Sequence, residues 1–513
     1  MKRREFHFCR PDPIPAYIIF LLFLCFSLRA YLKMHLRKVY FILPPGAVMF
    51  ILIPVFMGCS LHKVNRDVHP LVNGEDAYSL SVEGIQPQSR WWEALNDKFL
   101  DALVVESLSG NLTLKQARAR IEQAIASDKQ AASFLYPGVT ADASVGQEWR
   151  GSDNPEDTNS VGGALSWEID LWGRLSSARK AAGHEILASR EELEAAAVLL
   201  TAQVAETYFQ VIEQKLQLAL LEQQIKAGET FLELIELRFG YGGASVVDVF
   251  QQRQQLASTR AQVPVVQSLL RTLENRLHVQ LGMAPVSSQL KLANNFPELP
   301  QLPLAGVPID LLNNRPDLRG IYNQLVAIDY RVAEAVANRL PSIKLNGRAA
   351  FTDTFSTEGR LLSILLEAAA PLLDWGKRSS EVEKRKAMFK EELARYSEAY
   401  LTAIEEVENA LWQELHQKEL LKALEDQLSI ARSNLTETRN RYRQGLTDYL
   451  PVLTALQSLQ QLERDIISRQ RQLISIRILL YRAIGGSRLT AETYEPAALE
   501  EKTGALTSGG NVK

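Results

Sequence analysis

The feature that most constrains the fold of this 513-residue chain is an internal duplication. A shift of 203 positions, or of 204 further upstream, aligns identical residues in two copies: Trp172 with Trp375, Arg238 with Arg441, Gly242 with Gly445, Gly282 with Gly485, Leu114 with Leu318 and Pro137 with Pro341. One residue of slippage therefore falls between Pro137 and Trp172. Such a repeat indicates one supersecondary unit used twice.

Each copy has the same order of predicted elements. In the first copy, apolar residues at helical spacing over 94–135 predict a helix, with Asn111 as a cap and Pro137 as its end. Residues 151–160 are polar and predict a loop, and 160–172 predict a strand. In the second copy, two strands are predicted, at 339–353 and 361–375. Helices are predicted over Leu175 to Arg238 and over Val246 to Leu281, and the second copy repeats both.

A glycine cluster separates those two helices. Gly240, Gly242 and Gly243 interrupt the helical pattern, and Gly445 recurs at the position of Gly242 in the second copy. Glycine permits a positive φ, so we expect a tight reversal at this point in each copy.

The lengths of the helices determine their arrangement. The segment from Leu175 to Arg238 would span roughly 95 Å, whereas Val246 to Leu281 would span about 55 Å. The missing height is supplied if 94–135 stacks end to end on the returning helix. Each unit is then a rod with a β-hairpin at one end and a glycine turn at the other.

The strands impose a second requirement. Two hairpins give four strands per chain, whereas a closed barrel needs about eight. Open strand edges cannot be satisfied in lipid. A membrane role therefore predicts that each chain shares a sheet with copies of itself.

The N-terminus has the pattern of a lipoprotein signal. Met34 to Cys59 has a basic start, an apolar run and a small residue before the cysteine, which predicts translation from Met34 and lipid attachment at Cys59. The alternative is a transmembrane helix from Ile18 to Met57. The three cysteines all lie within the first 59 residues, so the rest of the chain can form no disulfide or thiolate metal site.

Other functional classes have little support. A net charge of −3 gives no electrostatic case for nucleic acid. After Cys59 the sequence lacks a Walker loop, HExxH and GxSxG, and its five histidines are dispersed, so we predict no enzyme, cofactor or metal site. A coiled-coil adhesin or envelope spacer would explain the helices and the lipid but not the strand pairs.

Several motifs, taken together and in order, resemble one family. They are the tryptophan pair 91–92, WEIDLWGR at 167–174, NRPDLR at 314–319, PLLDWGKR at 371–378, EEVENAL at 405–411, LLYRAIGG at 479–486 and the two glycine turns. Over about residues 59 to 490 the chain resembles the outer-membrane factor (TolC-like) family. Its lipid-anchored efflux branch, the NodT-like RND-type outer membrane lipoproteins, is the most similar part of that family.

The resemblance implies a mainly α fold with a membrane β-barrel. Duplicated helical hairpins of a homotrimer would form a twelve-helix periplasmic tunnel that continues as a twelve-stranded outer-membrane barrel. The implied function is an outer-membrane exit duct that passively conducts small molecules from a periplasmic adaptor and an inner-membrane transporter of RND type. The alternative within the family is a type I protein-secretion duct.

The same resemblance divides the chain into five segments. These are a leader at 1–58, a first repeat at 59–282, a proline-rich connection at 283–313, a second repeat at 314–486 and a C-terminal tail at 487–513.

It also implies functional residues at the two turns. The positions that match adaptor contacts are Arg238, Gly242, Gly243 and Ser245 in the first copy and Arg441, Gly445, Leu446 and Thr447 in the second. The alternative is that these residues form structural turns with no partner.

Asp248 and Asp448 are candidate carboxylates at the tunnel entrance, because Thr454 occupies the position where the family often has an Asp. Three copies of either carboxylate would form a ring that favours cations. The alternative is an Asp placed at a helix start by the helix dipole.

Overall fold

The computed structural model describes residues 62–72, 76–80, 84–85, 90–148, 156–285, 290–354 and 357–486. All described residues belong to one compact unit, Ser60–Lys513. The predicted leader, the predicted start at Met34, the lipidation residue Cys59 and the tail 487–513 lie outside the described residues.

Two sets of elements follow each other along the chain. The first is a 3-10 helix (Trp91–Leu95), α1 (Lys98–Gly110), α2 (Leu112–Ser133), β1 (Gly138–Glu148), β2 (Glu156–Ile169), α3 (Arg174–Gly240) and α4 (Val246–Gln280). The second is a 3-10 helix (Pro308–Asp310), α5 (Leu311–Asn314), α6 (Pro316–Ala337), β3 (Ser342–Thr354), β4 (Thr357–Ala369), α7 (Lys377–Arg443) and α8 (Leu450–Ala483).

The lengths of equivalent helices agree closely. The long helices α3 and α7 have 67 residues each, α2 and α6 have 22 each, and α4 and α8 have 35 and 34. At about 1.5 Å per residue, the long helices span roughly 100 Å. Each returning helix is therefore about half as long as the helix beside it.

The single helix predicted over 94–135 is wrong, because the structure divides it. Asp97 caps α1 by accepting from the backbone N–H of Phe99 at 3.0 Å. Asn111 caps α2, as predicted, by accepting from the N–H of Thr113 at 2.8 Å. Position 110 requires glycine, because a Cβ there would lie 2.4 Å from the Leu281 carbonyl oxygen.

This break is also the joint between stacked helices. The side-chain amide of Asn111 donates to the carbonyl of Gln280, the last residue of α4, at 2.8 Å. Only α2 therefore continues the line of α4, while α1 packs beside α3. In the second copy, Gly485 makes the equivalent close approach to the carbonyl of Asn314.

The four strands form one antiparallel sheet in the order β1-β2-β3-β4. The predicted loop at 151–160 is too long, because β2 already begins at Glu156. One polar side chain of this segment has its partner across the ladder, where Gln147 donates to Asp157 at 2.8 Å. The predicted second pair is trimmed at its outer ends, since Pro341 precedes β3 and Pro371 follows β4, whereas β4 begins at Thr357, four residues earlier than predicted.

The two hairpins keep equivalent registers. Gly138 pairs with Ser166, and the equivalent pair is Ser342 with Ala369. This correspondence holds along the whole ladder, so the one-residue slippage falls in the hairpin connection. Seven residues separate the last paired residues of the first hairpin, Glu148 and Glu156. Two residues separate Thr354 from Thr357 in the second.

The main core lies where the short and long helices of both copies meet. Trp91 stacks on Tyr481 with ring centroids 5.2 Å apart, and Trp92 is fully buried. The Tyr208 hydroxyl donates to Asp97 at 2.6 Å. The 3-10 helix with its tryptophan pair is thereby fixed to helices from both copies.

A buried ion pair anchors the connection between the copies. Arg477, which is fully buried, pairs with Glu414 and donates to the carbonyls of Pro300 at 2.8 Å and Gln301 at 3.0 Å. Burial alone would raise the pKa of Glu414, but Arg477 and Lys418 together hold it below its usual range. The guanidinium of Arg477 thus connects the proline-rich segment to α7 and α8 through hydrogen bonds and an ion pair.

Among the described helices, Arg174–Gly240 alone is long and apolar enough to cross a membrane. Of its most apolar stretch, 67% is buried against other helices. It therefore has the burial expected of a core helix.

Candidate functional site

The first candidate site is the pair of turns that reverse the long helices. In the first turn, Gly242 has φ of 72° and the Gly243 N–H donates to the Arg238 carbonyl at 2.8 Å. In the second, Gly445 has φ of 75° and the Leu446 N–H donates to the Arg441 carbonyl at 3.0 Å. The reversals predicted from glycine are confirmed, and the two turns share one hydrogen-bond pattern that closes a helix C-terminus.

The starts of the returning helices differ. Ser245 caps α4, and Ser245 and Asp248 form a reciprocal capping box, with the Asp248 N–H donating to the Ser245 hydroxyl at 3.1 Å. In the second copy Asp448 stands at the position of Ser245 and Pro451 at that of Asp248. The carboxylate of Asp248 is therefore engaged with its own helix, whereas Asp448 is exposed.

The two turns are bound to each other within one chain. The Arg238 guanidinium donates to the carbonyl of Tyr442 at 2.7 Å and to that of Gly243 at 3.0 Å. It also lies 4.5 Å from the centroid of the Tyr442 ring, within range of a cation–π contact. Arg238 therefore acts as a bridge from the first turn to the second, while its equivalent, Arg441, is exposed.

Aromatic residues that the sequence analysis missed form a small core beneath these turns. Tyr449 is fully buried, its ring lies 5.7 Å from that of Tyr442 and 6.0 Å from that of Phe231, and its hydroxyl donates to Gln252 at 2.5 Å. Burial raises the pKa of Tyr449, and burial with the nearby Asp248 raises that of Tyr442. Both phenols therefore remain neutral at physiological pH. Their position on either side of Gly445 was the available sequence signal.

A pair of cations lies on the same small core. The Arg439 guanidinium is 5.0 Å from the centroid of the Phe231 ring, and its pKa is lowered by burial and by the neighbouring Arg443. Apolar side chains are exposed around the turns, among them Tyr241 and Leu446. The turns between α3 and α4 and between α7 and α8 thus present apolar and cationic side chains to their surroundings.

Of the other predicted site residues, Gly242, Gly243, Ser245, Gly445 and Leu446 are exposed at the turns, and Thr447 is half-buried. Thr454 is exposed and its hydroxyl donates to the carbonyl of Leu450 at 3.0 Å, one turn back in α8. The structure thus brings the two predicted sets of turn residues together.

The second candidate site is the sheet, whose faces differ in chemistry. One face carries a hydrogen-bonded polar network, in which Ser144 contacts Ser160 at 2.7 Å and Asn346 donates to Glu367 at 3.2 Å. Arg348 of β3 and Asp142 of β1, which lie on either side of β2, also meet on this face at 3.2 Å. Leu361 and Leu365 of β4 also lie on this face. Strand alternation places most of the larger apolar side chains on the other face: Val139, Val145, Val161, Leu165, Trp167, Ile343, Leu345, Phe351, Leu362, Ile364 and Leu366.

The apolar face is uncovered in the single chain. Val145 is 88% exposed, Leu362 81% and Ile364 78%. Exposed apolar area of this extent marks contact with lipid or another protein. The outer edges of β1 and β4 are also unpaired among the described strands.

No group of three or more His, Cys, Asp or Glu side chains that could hold a metal ion occurs in the described ranges.

Comparison with known proteins finds a matching family and several similar proteins. The profile of the family described as "Outer membrane efflux protein" matches residues 103–283 and 307–486. The chain is 29% identical over 419 residues to the pyoverdine export outer membrane protein OpmQ of Pseudomonas putida, which covers 78% of this chain and 88% of that protein. It is 26% identical to nodulation protein T of Rhizobium leguminosarum bv. trifolii, over 80% of this chain and 88% of that protein.

A comparison with solved structures supports the same family. The structure of the outer-membrane channel OprN superimposes with a TM-score of 0.76 at 26% identity, covering 83% of this chain and 99% of that one. The family match extends over well more than half of the sequence, in two blocks that follow the duplication. The chain belongs to the outer membrane efflux protein family.

Proposed function

We propose that this chain is one subunit of a homotrimeric exit duct. Three sheets of four strands would close into a twelve-stranded barrel in the outer membrane, and three sets of helical hairpins would continue it as a periplasmic tunnel. The observation that carries the proposal is the two-faced sheet with free edges. Its apolar face suits lipid, its polar face suits a water-filled lumen, and its edges need sister strands.

The duct would be passive and would work with two partners. The two turns that reverse the long helices, with their exposed apolar and cationic residues, would contact a periplasmic adaptor. The adaptor would connect them to an inner-membrane transporter of RND type. Pyoverdine export is the named role of OpmQ. This role favours small molecules over secreted proteins as cargo. The adaptor would shift the turns from a closed to an open arrangement.

Within this proposal the predicted turn residues acquire different roles. Arg238, Gly242, Gly445 and the capping residue Ser245 shape the turns, while Arg441, Gly243, Leu446 and Thr447 offer surface to the adaptor. The capping box occupies Asp248, so the exposed Asp448 is the stronger candidate for a threefold ring of carboxylates at the entrance. Such a ring would give a preference for cations.

We further propose the segment boundaries given by the sequence. Residues 1–58 would be a leader, Cys59 the lipid-modified first residue, 59–282 and 314–486 the two repeats, 283–313 their connection and 487–513 a tail. The lipid would hold the mature chain at the outer membrane. We assign no catalytic activity, since the proposed duct acts by conduction alone.

Planar bilayer recording of the purified protein tests the duct. We expect currents from reconstituted oligomers that are small at rest and that increase when the bridge between the turns is removed by Arg238→Ala. A protein that is monomeric in detergent, or that conducts nothing even with this substitution, would contradict the proposal.

A further inference from the structure

The two repeats of one chain meet beside the sheet through a defined contact. Trp172 lies between β2 and α3, and its indole N–H donates to the carbonyl of Pro341, just before β3, at 2.7 Å. Both residues are half-buried, and both line the same cleft as Leu171 and Leu340. This junction therefore joins the end of the first repeat's hairpin to the start of the second's.

The duplication places the same residue types at the two free ends of the chain's sheet. Trp375 corresponds to Trp172, and Pro137 corresponds to Pro341. The equivalents are uncovered: Trp375 is 90% exposed, and its neighbour Leu372 is 85% exposed. On the opposite side, Pro137 is exposed and the preceding Tyr136 is 67% exposed, although its counterpart Leu340 is half-buried.

The strand register gives an independent correspondence. Within the chain, Leu165 of β2 pairs with Gly347 of β3. Moving Leu165 forward by 203 positions gives Ala368 in β4, and moving Gly347 back by 204 gives Ala143 in β1. Ala368 and Ala143 lie on the two unpaired edge strands, and both lie on the apolar face of the sheet. An edge-to-edge pairing in this register therefore keeps the apolar and polar faces continuous.

We propose that two copies of this chain meet through a repetition of their internal junction. Trp375 donates its indole N–H to the carbonyl of Pro137 of the partner subunit, and β4 pairs with the partner's β1 so that Ala368 faces the partner subunit's Ala143. This inference rests on the proposed oligomeric duct and adds to it the register and the hydrogen bond that fix one subunit against the next.

The junction has consequences for both sides. It covers the exposed Leu372 and Trp375 with the exposed Tyr136 and Pro137, so large apolar and aromatic surfaces leave water together. The Trp375 backbone has φ of 54°, a left-handed value that is uncommon for a residue other than glycine. When Trp375 packs against the partner subunit as Trp172 packs within the chain, the Trp375 backbone leaves this left-handed conformation, which Trp172 does not have.

Cysteine cross-linking tests the register. The only cysteines of the chain are Cys9, Cys25 and Cys59, so no competing thiol lies between residue 60 and the C-terminus. In the full chain carrying Ala143→Cys and Ala368→Cys, mild oxidation or a short bis-maleimide should produce cross-linked oligomers on a denaturing gel, because paired Cβ atoms lie within about 5.5 Å. The control pair, Ala143→Cys with Ala369→Cys, places the thiols on opposite faces and should remain uncross-linked.

A photoreactive residue tests the tryptophan contact. Benzoylphenylalanine in place of Trp375 should form adducts with the segment 134–137 of another copy. Adducts with lipid alone would identify Trp375 as a membrane-interface residue and would overturn the junction, as would cross-linking of the control cysteine pair in preference to the predicted pair.

The conservative substitution Trp375→Phe separates assembly from folding. It should raise the dissociated fraction of subunits on dilution, by up to about tenfold for each lost hydrogen bond. The matched change Trp172→Phe should destabilise the single subunit instead. If native mass spectrometry of the unsubstituted chain finds only monomers, the proposed duct fails; oligomers that do not respond to Trp375→Phe overturn only the junction.

Discussion

At the scale of single residues, the charged groups that matter most are the buried Arg477 and the half-buried Arg238, which have defined partners. Arg477 satisfies Glu414 and two carbonyls of the connection, and Arg238 joins the two turns. Both arginines use several donors at once, which a lysine could not reproduce with the same geometry. Their positions explain why removal should have effects beyond the loss of one charge.

Arg477→Met should leave Glu414 buried without its main partner. Breaking a buried pair in this way costs about 3–5 kcal/mol of folding free energy. Because Lys418 still lies 2.8 Å from the Glu414 carboxylate, we expect a loss at the lower end of this range. Denaturant unfolding followed by helical circular dichroism measures it. The exposed pair of Arg253 and Glu236 provides the control, since Glu236→Gln should cost less than about 1 kcal/mol. Equal losses at both pairs would contradict this view.

The same pair predicts a dependence on pH. Because the folded-state pKa of Glu414 is lowered, the pair contributes fully above the unfolded-state pKa of about 4.3 and its contribution is lost as pH falls through the folded-state value. The stability difference between the unsubstituted protein and Arg477→Met should therefore shrink on acidification from pH 7 to pH 3. A difference that is unchanged over this interval would show that the charge of Glu414 is not involved.

Arg238→Ala should loosen the contact between the two turns. It removes two hydrogen bonds from a charged donor, worth about 1.5–3 kcal/mol each, and the contact with the Tyr442 ring. We expect higher conductance in planar bilayers and faster proteolysis at the turns. Arg441→Ala is the matched control, because Arg441 is the repeat equivalent and is exposed; the same response in both variants would argue against the bridge.

At the scale of elements, much of the architecture could be predicted from the sequence. The bounds of α3 and α4 were predicted within two residues, because long apolar periodicity and a recurring glycine turn mark them locally. The break at Asn111 was harder to predict in full, since it depends on the approach of Gly110 to Leu281, far away along the chain. The start of β2 was missed because Asp157 and Ser160 find their partners, Gln147 and Ser144, only when β1 lies beside them.

Gly445→Ala should strain the second turn without creating a clash. No atom lies within 4 Å of an added Cβ, so the cost comes from the positive φ alone and should be about 1–2 kcal/mol. Gly240→Ala, which also meets no atom within 4 Å and ends α3 with an ordinary φ, should be neutral or stabilising. Thermal unfolding compares the two, and drug tolerance of cells that depend on this duct compares their function. Similar destabilisation by both would refute a special role for the Gly445 backbone.

At the scale of the whole molecule, the sequence could predict that copies are needed but not how many. Four strands with free edges require sister strands, a consequence of hydrogen bonding that any closed number of subunits would satisfy. The trimer is proposed from resemblance to the family. The packing of Tyr442 and Tyr449 also escaped prediction, because their contacts with Arg238 and Phe231 come from the other copy, far away along the chain.

The proposed lipid anchor and the proposed barrel should hold the protein in the membrane independently. Cys59→Ala should abolish metabolic labelling with palmitate, while the protein continues to fractionate with outer membranes and to resist carbonate extraction. Labelling that persists in this variant would place the lipid elsewhere, and release of the variant into the soluble fraction would mean that the sheet does not insert.

The unequal hairpin connections have a consequence for the outer surface of a closed ring. Long connections of seven residues would alternate with short ones of two, so the rim would have true threefold rather than apparent sixfold symmetry. An antibody or a phage that recognises the longer connection would find three docking points on each duct, one for each subunit.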